Sequence, residues 1–210
     1  MIGIAHDIVG ESGLDGTALL PPPSVSAITS TPAVDAIAAA LLATPLHTSW
    51  LVATGTLTNI SQLFDKYPIL VHHIKGLSIM GGAIGSSFTN APLGRVGTEF
   101  NIVVDPEAAH SIFSNFELAA KTTLIPLDVT HQVLATHNVQ SLLLYGKAEG
   151  SSRSDSAQKP STLRTMLVEL LNFFGHTYAT VFGITEGPPL HDPLAVAAVL
   201  DGIPDHEIPF

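Results

Sequence analysis

The sequence contains no cysteine and little charge, and these two shortages narrow the classes of protein it can belong to. None of its 210 residues is a cysteine, which excludes a disulfide framework, a thiolate metal site and a cysteine nucleophile. Only 12% of the residues are charged, although about a quarter is usual in globular domains. The formal net charge of −10 argues against binding to nucleic acid or to an anionic membrane through a basic surface.

Long hydrophobic runs are also missing. No stretch reaches the roughly 18 apolar residues that a membrane-spanning helix requires, and Asp35 interrupts the longest apolar run, 33–43. The first residues, MIGIAHDIVGESG, lack the basic and apolar regions of a secretory signal. The chain is nevertheless 46% hydrophobic, with a mean hydropathy of +0.38. We therefore expect one domain over 1–210 with a substantial core, located in the cytoplasm.

Short apolar runs alternate with helical patterns along the chain. The apolar runs predict strands at 49–54, 76–81 and 121–127, and residues 100–104 are also strand-like. The helical patterns lie near 57–66, 105–114, 162–182 and 193–200, and the polar segment 146–161 is predicted to be a surface loop. Strands separated by helices of ten to fifteen residues indicate βαβ units. The pattern therefore predicts an α/β fold with a mostly parallel sheet.

Polar residues follow each predicted strand, where an open α/β sheet binds its ligands. The first strand is followed by TGTLTN (54–59) and the third by LDVTH (127–131). After the second strand come MGGAIG (80–85), a loop with Asn90, and TEFN (98–101). Amides, carboxylates and hydroxyls gathered on one rim suit recognition of a polyol such as a sugar.

The stretch EGPPLHDPLAVAAVL, residues 186–200, places a histidine and an aspartate side by side between prolines. Pro188 and Pro189 disfavour helix before the pair, and Pro193 suits the first turn of one. Asp192 is predicted to be the N-cap residue of this helix. A helix cap gives no reason for His191.

Motifs of three other enzyme classes are incomplete. GGAIG lacks the G-x-G-x-x-G spacing of a dinucleotide-binding turn. VGESGLDG approaches a nucleophile elbow, but Leu14 occupies the place of the second glycine. None of the ten histidines belongs to an H-E-x-x-H motif. A serine hydrolase and a zinc protease are therefore disfavoured.

Six segments, taken together and in order, resemble the inosine–uridine-preferring nucleoside hydrolases. They are IVGESGLDG (8–16), LVATGTLTNI (51–60), SIMGGAIG (78–85), EFNIVVDPEAA (99–109), PLDVTHQVLAT (126–136) and LHDPLAVAAVL (190–200). The resemblance implies hydrolysis of the N-glycosidic bond of ribonucleosides to ribose and free base. It also implies a three-layer α/β fold, with helices on both faces of an open, mainly parallel sheet, and a Ca²⁺ ion in the site. A homo-oligomer fits the low charge.

The resemblance assigns roles to individual residues. Asp192 matches an aspartate that ligates calcium, and Thr54 matches the position whose backbone carbonyl also reaches the ion. His191 matches the histidine proposed to protonate the leaving base. This chemistry suits a hard cation with oxygen ligands and a side chain that titrates near neutral pH.

Three further residues match positions that bind the ribose hydroxyls: Asn90, Glu99 and Asn101. Cleavage of a ribosidic bond develops oxocarbenium character on the sugar and negative charge on the base. This reaction requires a site that binds the sugar hydroxyls on one side and faces the base on the other.

The sequence departs from the family pattern in two places. It has no D-x-D-x-x-x-D-D cluster, which supplies most calcium ligands and the general base, and Val9 replaces a histidine. Two hypotheses follow: a fragment of a nucleoside hydrolase, or a non-catalytic hydrolase-like protein that binds nucleosides or partner subunits. Under either hypothesis, we expect the 210-residue chain alone to be inactive.

Overall fold

A computed structural model describes residues 10–11, 13–85, 99–146 and 159–200. Asn90 and most of the predicted loop 146–161 lie outside the described residues. The chain divides into two compact units. The sheet unit comprises the described residues within 27–131 and 191–210, and the helical unit those within 1–26 and 132–190. The single domain over 1–210 stays a prediction.

The sheet unit contains a three-stranded parallel sheet. Its strands are β1 (Trp50–Ala53), β2 (Gly76–Met80) and β3 (Thr122–Ile125), in the spatial order β1-β2-β3. Ser78 of β2 is paired with Val52 on one side and Thr123 on the other. Every residue of β2 is buried, as a central parallel strand requires. The predicted α/β fold with a parallel sheet is confirmed.

Eight α-helices among the described residues belong to the sheet unit. They are α1 (Ala33–Leu42), α2 (Thr58–Lys66), α3 (Ile69–His73), α4 (Phe100–Val104), α5 (Pro106–Phe113), α6 (Phe116–Ala119), α7 (Leu127–Thr130) and α10 (His191–Ala197). A 3-10 turn, Ala198–Leu200, continues α10. The core is formed by fully buried leucines and isoleucines from the sheet and α2, among them Leu63, Leu77 and Ile79. The helices predicted near 57–66, 105–114 and 193–200 are confirmed.

The helical unit contains α8 (His137–Tyr145) and α9 (Thr162–Phe182), the second with the predicted bounds. Each helix ends at a glycine in the left-handed conformation, Gly146 with φ 71° and Gly183 with φ 70°. Glycine adopts this conformation without the steric penalty of a Cβ atom. None of the helices in the described part of the chain is long and apolar enough to cross a membrane.

Three sequence predictions need correction. Residues 100–104 form α4 instead of a strand, because the Glu99 side chain caps the backbone N–H groups of the first turn. The third strand ends at Ile125, since Pro126 has no N–H to continue the ladder. Asp192 is not an N-cap: α10 begins one residue earlier, and Pro193 is tolerated there because first-turn N–H groups lack intrahelical acceptors.

Candidate active site

Glu99 is a buried carboxylate that joins the turn after β2 to the start of α4. Its residue exposure is only 5%. Oε2 accepts hydrogen bonds from the backbone N–H groups of Gly82 (3.0 Å) and Ile102 (3.2 Å), and Oε1 accepts one from Asn101 (2.9 Å). Since each carboxylate oxygen has two acceptor positions, these bonds use both positions of Oε2 and one of Oε1. One acceptor position on Oε1 remains for a ligand.

Asn101 lies in the first turn of α4 and is held against the end of β2. Its Nδ2 donates to the carbonyl oxygen of Met80 at 3.2 Å and contacts the Met80 sulfur at 3.5 Å. Both contacts use the amide nitrogen, so the acceptor Oδ1 is the group that Asn101 can offer to a ligand. The predicted ribose-binding pair therefore lies at the carboxyl end of the central strand.

Helix α10 brings His191 to the end of β3. The ring atom Nδ1 lies 2.8 Å from the hydroxyl oxygen of Thr130, the last residue of α7. The ring centroid is 5.6 Å from that of His131, with the two rings tilted by 59°. Burial, and to a lesser degree the charge of His131, lowers the pKa of His191 to about 4. The imidazole is consequently neutral at neutral pH.

Asp192 follows His191 in the first turn of α10 and is accessible to solvent. Partial burial of the carboxylate raises its pKa, and the negative charge of Glu99 raises it further. The hydrogen bond from Ser78 of β2 to Ala195 fixes the helix that carries Asp192 against this strand, and Asn101 contacts Met80 at the end of the same strand. Thr54 follows β1 and is exposed, and its part in the site stays a prediction.

The residues present do not fit a complete calcium site. Calcium takes six to eight oxygen ligands, whereas the resemblance assigns one carboxylate, from Asp192, and one carbonyl, from Thr54. Within the described ranges, no group of three or more aspartate, glutamate or histidine side chains is arranged to hold a metal ion. The residues that the resemblance assigns therefore supply two of the six to eight oxygen ligands.

The segment after β3 contains site residues to which the sequence assigned no role. Asp128 accepts hydrogen bonds from the backbone N–H groups of Ile84 (2.8 Å) and Gly85 (2.7 Å), and so holds the turn after β2. Thr130 and His131 contact His191. The available signal was the polar run LDVTH after a predicted strand, but it did not indicate which partner each side chain contacts.

Comparison with known proteins shows the family. Residues 2–208 match the family model described as inosine-uridine preferring nucleoside hydrolase, and the chain belongs to this family. It is 38% identical over 197 residues to the uridine nucleosidase of Saccharomyces cerevisiae. It is also 38% identical over 199 residues to the pyrimidine-specific ribonucleoside hydrolase RihA of Citrobacter koseri.

Solved structures agree with this assignment. The purine-preferring ribonucleoside hydrolase from Gardnerella vaginalis is similar with a TM-score of 0.72 and 28% identity, over 93% of this chain and 55% of that one. A plant nucleoside hydrolase is similar with a TM-score of 0.71 and 26% identity, over 94% of this chain and 54% of that one. The two curated relatives match 94% of this chain but 54% and 55% of their own lengths. The chain thus spans about half the length of the relatives it matches.

Proposed function

We propose that this chain supplies the ribose-binding and base-facing part of a ribonucleoside hydrolase. One observation carries the proposal: Glu99 and Asn101, after β2, share the carboxyl end of one parallel sheet with His191 and Asp192, about 90 residues later. Ligands of open α/β sheets bind at that end. Family membership then favours ribonucleosides among the polyols that such a site could bind.

The hydrogen-bonding capacity of the pair suits a sugar. The remaining acceptor position of Glu99 Oε1 and the acceptor Oδ1 of Asn101 can each receive a hydrogen bond from a ribose hydroxyl. His191 is proposed to contact the leaving base, on which negative charge develops as the glycosidic bond breaks. A donor aimed at that charge lowers the barrier.

The proposed substrates are ribonucleosides with a pyrimidine or a purine base. Two curated relatives are named for uridine or pyrimidine substrates, and one of the similar structures is named as purine-preferring. Calcium is part of the proposal, with Asp192 and the Thr54 carbonyl as two ligands. Further carboxylates are required to complete the shell of six to eight oxygens.

Turnover and binding assays separate this proposal from the non-catalytic alternative. We expect the 210-residue chain alone to release no free base from inosine or uridine above the buffer rate, with or without Ca²⁺. We expect calcium-dependent release from a polypeptide in which a family segment with the aspartate cluster precedes these residues. Nucleoside binding by both polypeptides, with turnover by neither, would favour the non-catalytic hydrolase-like protein.

A further inference from the structure

Thr130 has a buried hydroxyl with a single hydrogen-bond partner among the described residues. The side chain is fully buried, and the partner is His191 Nδ1 at 2.8 Å. A threonine in a helix often donates its hydroxyl hydrogen to the carbonyl four residues earlier. Here that carbonyl, of Pro126, already accepts from the N–H groups of Val129 (3.0 Å) and Thr130 (3.1 Å). Both of its acceptor positions are therefore used.

The direction of the bond between Thr130 and His191 follows from this arrangement. A buried hydroxyl hydrogen without an acceptor is costly, and Nδ1 is the acceptor within reach. If Thr130 donates to Nδ1, the neutral imidazole must carry its proton on the other ring nitrogen, Nε2.

We propose that Thr130 is a positioning residue that holds neutral His191 with its proton on Nε2, so that the ring offers a hydrogen-bond donor to the leaving base. The part concerning the base rests on the proposed function, whereas the tautomer does not. A ring nitrogen of a departing base has a lone pair and gains negative charge. An Nε2–H group stabilises that charge, while an Nε2 lone pair would repel it. The bond is a hydrogen bond, and no proton transfer is required.

The neighbouring elements hold the ring in this place. Thr130 ends α7, which follows β3 after a single proline. Helix α10 is fixed to β2 by a 2.7 Å hydrogen bond from Ser78 Oγ to the carbonyl of Ala195. The ring of His131 lies beside that of His191 at 5.6 Å. The donor hydroxyl and the ring are thus attached to adjacent strands of one sheet.

The decisive measurement is the protonation pattern of the His191 ring by 15N NMR on the 210-residue chain at pH 8, well above the ordinary histidine pKa of about 6.5. We expect a protonated Nε2 and an unprotonated Nδ1 whose resonance shows a bonded acceptor. Thr130→Val, which keeps the side-chain shape, should move the Nδ1 resonance to that of an unbonded nitrogen, and Thr130→Ser should restore it. His191→Asn identifies the resonances.

A proton on Nδ1, or an Nδ1 resonance unchanged by Thr130→Val, would overturn the proposal. If the valine variant does not fold, the tautomer of the unmodified chain decides alone.

A kinetic experiment uses the polypeptide in which the aspartate cluster precedes this chain. There, Thr130→Val should lower kcat for uridine by about tenfold or more with KM unchanged. It should leave hydrolysis of p-nitrophenyl riboside, whose leaving group needs no donor, within about twofold; equal losses on both substrates would contradict the positioning role. Absence of turnover by the polypeptide in which the aspartate cluster precedes this chain would refute the proposed function, and the tautomer result would then decide this inference.

Discussion

The hydroxyl of Ser78 donates a 2.7 Å hydrogen bond to the backbone carbonyl of Ala195, across 117 residues of sequence. Both residues are fully buried. Ser78 lies in the central strand and Ala195 in the helix that begins with His191 and Asp192. One buried side chain thus fixes the position of the helix that carries half of the candidate site.

Removal of this hydroxyl should destabilise the protein. We expect Ser78→Ala to lower the free energy of unfolding by about 1–3 kcal/mol, because a buried carbonyl loses its donor. Urea denaturation followed by circular dichroism measures the change. The matched control is Ser114→Ala, whose exposed hydroxyl also donates to a backbone carbonyl and whose loss should stay within about 0.5 kcal/mol. Equal losses in the two variants would contradict the role given to Ser78.

Gly76, the first residue of β2, has no room for a side chain. A Cβ atom there would lie 2.3 Å from the ring of Trp50, its neighbour on β1. We expect Gly76→Ala to lower the free energy of unfolding by about 1–3 kcal/mol. It should also change the fluorescence of Trp50, the single tryptophan of the chain. Gly55→Ala is the control, since its Cβ atom would meet nothing within 4 Å. An unchanged emission spectrum in Gly76→Ala would show that the two strands are not in this register.

The buried carboxylate of Glu99 should be required for stability as well as for sugar binding. Glu99→Gln replaces one acceptor oxygen by an NH2 group that faces backbone N–H groups. We expect a loss of about 1–3 kcal/mol in the free energy of unfolding, measured by thermal denaturation. Glu107→Gln, at an exposed position of α5, should have little effect. A glutamine variant as stable as the unmodified chain would mean that the three bonds to Glu99 are not formed.

The stability contributed by Asp128 should depend on pH in a defined direction. Hydrogen bonds from the N–H groups of Ile84 and Gly85 hold the pKa of Asp128 below its ordinary value of 3.8. Because the folded state favours the ionised form, this contribution is fully present above 3.8 and is lost as the pH falls through the lowered pKa.

Urea titrations at several pH values test this direction. The stability difference between the unmodified chain and Asp128→Asn should be constant from pH 5 to 7 and shrink below about pH 3.8. Asp65→Asn, at an exposed position of α2, serves as the control variant. A difference that grows as the pH falls would have the wrong sign and would contradict these contacts.

Sequence-based prediction succeeded where a short segment carries its own structural signal, such as a continuous apolar run or a helix-capping residue. The run GLSIM reads as a fully buried strand and is one, and Asp105 followed by Pro106 reads as a helix start and is one. Phe100–Val104 was misread as a strand because its composition favours one. The Glu99 side chain caps the first turn and so favours a helix here. This capping contact cannot be predicted from the spacing of apolar residues.

In the candidate site, too, some residues are visible in the sequence and others depend on tertiary contacts. His191 and Asp192 were found because an adjacent pair between prolines stands out in a sequence. Thr130 was not, because its role depends on a contact with a residue 61 positions away. Contacts between residues on different strands depend on tertiary packing, and a single sequence does not predict them.

These residues are proposed to form the sugar- and base-facing part of a nucleoside hydrolase. Release of free base from uridine and inosine, by the polypeptide that joins the family's aspartate cluster to this chain, tests this proposal. We expect calcium-dependent release that falls about a hundredfold or more in His191→Ala and is unchanged in His110→Ala, a variant at an exposed position of α5. No release from either nucleoside, or release that His191→Ala leaves intact, would contradict it.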